Sequence, residues 1–137
     1  MRIGVAGSMQ FTDKMYEICD ELAKLGHEPF MSGFGPRYRG KSAEEIEVLK
    51  LEDKNGRDAI REFWEPMQSA DALLVLNYDK NGIANYIGGN AFLEIGFAHV
   101  LQQKIFFMNP IPQMPHYHTE LVAMKPTVIH GDLTKII

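Results

Sequence analysis

One cysteine, Cys19, stands in a chain of 137 residues. No intramolecular disulfide can form, and a reducing cytoplasm is the expected location. Long apolar runs are missing as well. The best of them are broken by Glu94, His99 and Gln102 before reaching the roughly 20 residues of a membrane-spanning helix. The opening "MRIGVAGSMQ" enters a strand pattern with no apolar signal region, so no membrane association is expected. Positive charge is not in excess: 14 Lys and Arg oppose 18 Asp and Glu, a formal net charge of -4. Without a basic footprint for a phosphodiester backbone, nucleic acid is not an expected partner. No repeat, low-complexity tract or linker divides the chain, and residues 1–137 read as one domain. The pair His116 and His118 in "HYH" has no Cys or carboxylate at zinc-like spacing beside it, so neither metal nor cofactor is expected.

What is present is a chain that is 45% hydrophobic, enough to build a core, with a period that switches repeatedly. "RIGVAG" is a short first strand ending at Gly7, with Ser8 in the turn behind it. From Thr12 to Leu25 the apolar residues Met15, Ile18, Cys19, Leu22 and Leu25 recur at helical spacing, and Gly26 closes the helix. "EPFMS" reads as a second strand and "GFGPRYRGK" as a loop. Ser42 and Glu45 form a capping-box pattern that starts a second helix. That helix runs into a stretch in which 12 of the 22 residues from Lys41 to Glu62 are charged, with a break expected at Asn55-Gly56. "REFWEPM" resumes helical character.

"DALLVLN" is the clearest central strand, because Ala72 to Leu76 are continuously apolar, as in a strand covered on both faces. A helix is expected over Asn90–Gln102, a fourth strand at "KIFFMN", a short helix at "TELVAM" and a fifth strand at "TVIH". Strands alternating with helices predict an α/β fold: a three-layer sandwich around a five-stranded parallel sheet, flavodoxin-like, in the order 2-1-3-4-5. In such a sheet, ligands sit beyond the carboxyl ends of the strands. The loops there, "GSMQF", "SGFGPRYRGK", "NYDKNGIANYIGG" and "NPIPQMPHYH", are rich in glycines and uncharged hydrogen-bonding groups.

Glu94 is the residue that core packing does not explain. It interrupts "AFLEIGF" in a helix whose neighbours Phe92, Leu93, Ile95 and Phe97 are all apolar, close to the helix start that Asn90 would cap. First-turn acids are common because the helix dipole favours them. An isolated carboxylate at a sheet's ligand edge is also a competent nucleophile or general base.

The segments "GVAGSM", "SADALLVLN" and "GGNAFLEIGFAHVLQQKIFFMN" resemble the nucleoside 2-deoxyribosyltransferase family and the related deoxynucleoside monophosphate N-glycosidases, from the first strand to the fourth. The resemblance implies cleavage or transfer at an N-glycosidic bond of a (deoxy)nucleoside or its 5'-monophosphate. Glu94 would attack the anomeric carbon, Asp71 would serve as a second catalytic carboxylate, and Gly7 and Ser8 would touch sugar or phosphate. Six residues before the nucleophile the transferases carry Asp and the monophosphate hydrolases Ser, where this chain has Gly88. Asn85 or Asn90 would supply the polar group instead. Gly89, Asn77 and Asn109, at the loop and strand ends, complete the expected substrate-binding set.

Arg37 and Arg39, with Lys41, are candidates for a 5'-phosphate clamp, because guanidinium forks match phosphate oxygens. Phe63, Trp64, Met114 and Tyr117 are expected to lie partly uncovered and to support a homodimer or higher homo-oligomer, as the family's assembly also implies. Two other readings stay open at this stage: a nucleotide-sensing module in which Glu94 binds ribose hydroxyls, and an oligomeric interaction protein.

Overall fold

The computed structural model describes residues 1–31, 35–54 and 58–137. The expected break at Asn55-Gly56 and part of the "SGFGPRYRGK" loop lie outside them. Five parallel strands form one sheet in the order β2-β1-β3-β4-β5. They are β1 (Arg2–Ala6), β2 (Glu28–Phe30), β3 (Ala72–Val75), β4 (Lys104–Phe107) and β5 (Thr127–Val128). The helices are α1 (Thr12–Lys24), α2 (Gly35–Tyr38), α3 (Ala43–Lys54), α4 (Ala59–Met67), α5 (Gly89–Val100) and α6 (His118–Ala123).

The continuous apolar run at Ala72–Leu76 becomes the central strand because both of its faces are covered. Successive side chains of a strand point to opposite faces. Leu74 and Leu76 join Ile3, Val5 and Phe106 under α1, whose Met15, Ile18 and Leu22 pack down onto them. Leu73 and Val75 join Phe107 under α4 and α5, meeting Phe63, Met67 and Ile95. The helical spacing read from Met15 to Leu22 is therefore the buried stripe of α1. Gly26, at φ 91°, turns the chain behind it, and its N–H donates to the Ala23 carbonyl.

Two differences from the sequence expectation lie next to the carboxyl edge of the sheet. Gly35–Tyr38 is a helical turn, not a loop, closed by Arg39 N–H donating to the Gly35 carbonyl at 3.0 Å. Pro36 fits the first turn of a helix, where its missing N–H has no intrahelical partner to lose. The helix expected at Asn90 starts one residue earlier, with Gly88 as its cap.

Both described ends of the chain lie at the amino edge of the sheet. The Met1 carbonyl accepts from Glu28 N–H beside β1, and Lys104 Nζ, at the first residue of β4, donates to the Ile137 carbonyl at 2.7 Å. Among the described residues no helix is long and apolar enough to cross a membrane.

Candidate functional site

A cavity of about 650 Å³ opens at the carboxyl edge of the sheet. Its walls come from the turn after β1, from α3, from the start of α4 and from the glycines leading into α5. A second cavity of about 630 Å³ lies by the amino ends of β4 and β5, next to Lys104 and Thr127. Neither glycines nor acidic side chains line it, so it lacks the chemistry of the first.

Glu94 lines the first cavity. With α5 beginning at Gly89, it stands in the second helical turn, while Ala91, Ile95 and Ala98 turn into the core. Among the described residues, no hydrogen bond or ion pair reaches its carboxyl group. Loss of water pushes that group up to about 8 from 4.5, because burial disfavours the charged form when nothing compensates. A half-buried acid so placed is poised between protonated and ionised forms near neutrality.

The turn after β1 is fixed by close approach. A Cβ on Gly7 would stand 3.0 Å from the Leu76 carbonyl oxygen, so this position holds β1 and β3 together at the cavity floor. Ser8 caps a single 3-10 turn, Met9–Phe11, by accepting from Gln10 N–H at 3.2 Å. Its Oγ also accepts from Lys80 Nζ at 2.8 Å. Lys80 lies 5.3 Å from the centre of the Tyr86 ring, and burial together with Lys50 lowers its pKa. Lys50 and Lys80 both line the cavity. Neither stands out in the sequence, where Lys80 is one residue of a long loop and Lys50 one charge among many. Their distance in sequence from Ser8 gave no signal.

Several expected site residues have other work. Asp71 precedes β3, so a strand of four residues, about 13 Å, separates it from the edge where Glu94 lies. Its Oδ2 accepts from Arg2 N–H at 2.8 Å, which corrects the expectation of a second catalytic carboxylate. It ties two strand entrances together. Asn77 is fully buried, and its side chain is spent on two consecutive neighbours: Nδ2 donates to the carbonyls of Asn109 and Pro110, and Oδ1 accepts from Asn109 N–H. Asn109 Nδ2 returns a bond to the Asn77 carbonyl at 3.0 Å. These amides join β3 to β4 and do not open onto the cavity.

Asn85 adopts φ 57° and donates its N–H to Asp79 Oδ1 at 2.9 Å. It shapes the loop and does not line the cavity, whereas Gly88, Gly89 and Asn90 do. Arg37 pairs with Glu52 at 2.6 Å and Asp53 at 3.3 Å. Arg39 lies over the Tyr16 ring at 4.0 Å. Neither lines the cavity, so the expected guanidinium clamp is not assembled there.

Of the aromatic and Met residues expected to lie partly uncovered, two are buried in the core, and Trp64 and Tyr117 are half-buried. Phe63 and Met114 are buried, Tyr117 stacks on Phe92 at 4.4 Å, and Trp64 meets Phe97 edge-on at 5.0 Å. His118 Nδ1 donates to the Pro112 carbonyl at 2.8 Å. Burial pushes the Cys19 thiol up to about 11, which makes it a poor nucleophile.

No protein-family model matches the chain, and no curated protein matches it by sequence. The solved structure of Clostridium botulinum CMP N-glycosidase, BcmB, is similar, with a TM-score of 0.50 and 14% identity over 93% of this chain and 85% of that one. At this identity the similarity is one of fold.

Proposed function

We propose that this protein cleaves the N-glycosidic bond of a nucleoside or nucleotide, with Glu94 as the nucleophile. The observation that carries the reading is the Glu94 carboxyl group, without a hydrogen-bond or ion-pair partner among the described residues, lining the cavity at the sheet's carboxyl edge. The resemblance of "GGNAFLEIGFAHV" to the deoxyribosyltransferase and N-glycosidase helix supports it, as does a fold shared with a CMP N-glycosidase.

In the first step a Glu94 carboxylate oxygen bonds to the anomeric carbon as the bond to the base nitrogen breaks. The electron pair leaves with the base, which takes up a proton. In the second step water, or another base, attacks the same carbon. The ester bond breaks and the carboxylate is regenerated, so atoms and charge balance over the cycle. The ionised form of Glu94 is the nucleophile, and it also stabilises the positive charge developing on the sugar.

The expectation of a homo-oligomer shifts from the aromatics to Leu51 and Ile60, which are exposed beside the cavity. Light scattering above the 15.5 kDa of one chain is the check on assembly.

The test of function is to incubate the purified protein with a panel of nucleosides, deoxynucleosides and their 5'-monophosphates, and to follow free base by chromatography. Base release by the wild type, lost in both Glu94→Gln and Glu94→Ala, is the expected result. Turnover unchanged in Glu94→Ala would remove Glu94 from the reaction. Ligand binding with no base release from any substrate would favour the nucleotide-sensing reading.

A further inference from the structure

Gly88 caps α5 at φ -79° and ψ 173°, a backbone that any residue adopts, so conformation alone does not call for glycine. The space beside it does. A Cβ at this position would stand 3.2 Å from Tyr86 Oη and 3.3 Å from Tyr86 Cε1, inside the roughly 3.5–4.0 Å of an ordinary contact. The phenol of Tyr86 thus fills the room of a side chain at position 88, on the cavity wall that both residues share with Glu94.

The ring is held from several sides. Tyr86 N–H donates to the Tyr78 carbonyl at 2.9 Å, Lys80 Nζ stands over the ring 5.3 Å from its centre, and the ring packs against the core beneath α4 and α5. Ile87, next in the chain, is buried, and its carbonyl accepts from Tyr117 Oη at 2.5 Å. The Tyr86 hydroxyl is left over. No hydrogen bond reaches it among the described residues, and Tyr86 is half-buried and lines the cavity. The acids around it are engaged elsewhere: Asp53 accepts from Tyr38 Oη at 2.6 Å, Asp58 from Arg61 N–H at 3.0 Å and Glu47 from Gln10 Nε2 at 2.8 Å. A phenol can donate and accept without carrying charge. A neutral polar group fixed in place on a cavity wall is the kind that sets a ligand's orientation.

We propose that Tyr86 Oη hydrogen-bonds to the nucleoside bound at Glu94 and sets its orientation, which makes Tyr86 a specificity residue of this site. The inference rests on the reading of Glu94 for the class of ligand, but the contact itself requires no bond to break. Glycine at position 88 then serves Tyr86, because a side chain there would push the hydroxyl from its place.

Calorimetry on Glu94→Gln, in which no bond breaks, measures the contact with the common deoxynucleosides and their 5'-monophosphates as probes. Adding Tyr86→Phe should weaken the best-bound probe about tenfold, the size of one well-placed hydrogen bond, with thermal melting unchanged. Tyr86→Ala should lose as much. Gly88→Ser added to Tyr86→Ala returns a hydroxyl to the vacated space and should recover part of the loss, a rescue that a merely structural tyrosine would not show. Equal affinity with and without the Tyr86 hydroxyl, no rescue by Gly88→Ser, or no binding of any probe would overturn the proposal. The two readings fail separately. Hydroxyl-dependent binding without base release by the wild type would overturn the glycosidase reading and leave the contact standing, whereas base release kept in full by Tyr86→Phe would overturn the contact and leave Glu94 as nucleophile.

Discussion

Asn77 and Asn109 hold each other by three hydrogen bonds of 2.8 to 3.0 Å, each using side-chain and backbone groups of the pair. Because Asn77 is fully buried and Asn109 half-buried, replacing Asn77 with Ala leaves the Asn109 N–H and carbonyl without their partner. Each buried group left unsatisfied costs about 1–3 kcal/mol. Asn77→Ala should therefore lower unfolding stability by roughly 3 kcal/mol, measured by urea denaturation. A loss near zero would show that water replaces the amide at no cost.

Glu94 should make the protein less stable as pH rises. Its folded-state pKa of about 8 lies above its ordinary 4.5, so between those values the folded chain holds a proton that the unfolded chain has released. Stability contributed by the neutral acid is complete below about 4.5. It is lost through the window up to about 8, at no more than about 1.4 kcal/mol per pH unit. Glu94→Gln keeps the shape and cannot ionise. The variant should match the wild type in thermal melting at pH 4 and exceed it at pH 8.5, and parallel melting curves at both pH values would contradict the assigned environment.

The same acid sets the pH profile of the proposed reaction. The free protein must lose the Glu94 proton to attack, so kcat/KM should rise about tenfold per pH unit below about 8 and level off above it. A plateau beginning near pH 5 would mean that the empty cavity already holds the carboxylate ionised.

Arg37 and Arg39 stand off the cavity wall. Arg37 is bound to Glu52 and Asp53, and Arg39 lies over Tyr16. The double variant Arg37→Ala, Arg39→Ala should release base within about twofold of the wild-type rate, well inside the tenfold set by one strong contact. A large loss in that assay would return these arginines to the site.

The architecture was legible because it depends on periodicity. Ala72–Leu76 is apolar on both alternations, and Met15, Ile18 and Leu22 keep helical spacing, so strand order followed from alternating elements. Glu94 was legible because a lone acid violates the pattern around it. Asp71 illustrates the opposite case. It opens a strand, and in a parallel sheet strand entrances lie away from the ligand edge, so the resemblance had assigned it a role that its position does not permit. Which cations face the cavity was not legible. It turns on Glu52 and Asp53 capturing Arg37 from a helix that folds beside it, and on Ser8 meeting Lys80 across 72 positions of sequence. Such pairings leave no local period. The Asn77–Asn109 lock is hidden for the same reason, since a lone Asn at a strand end looks alike whether it faces ligand or neighbour.

Met1 and Ile137 both sit at the sheet's amino edge, and the cavity opens at its carboxyl edge. An anchor attached at either residue would hold the molecule by its far side and leave the cavity mouth facing solution. The protein is thus suited to surface-immobilised binding measurements in which nucleosides and nucleotides flow past a tethered chain without meeting the tether.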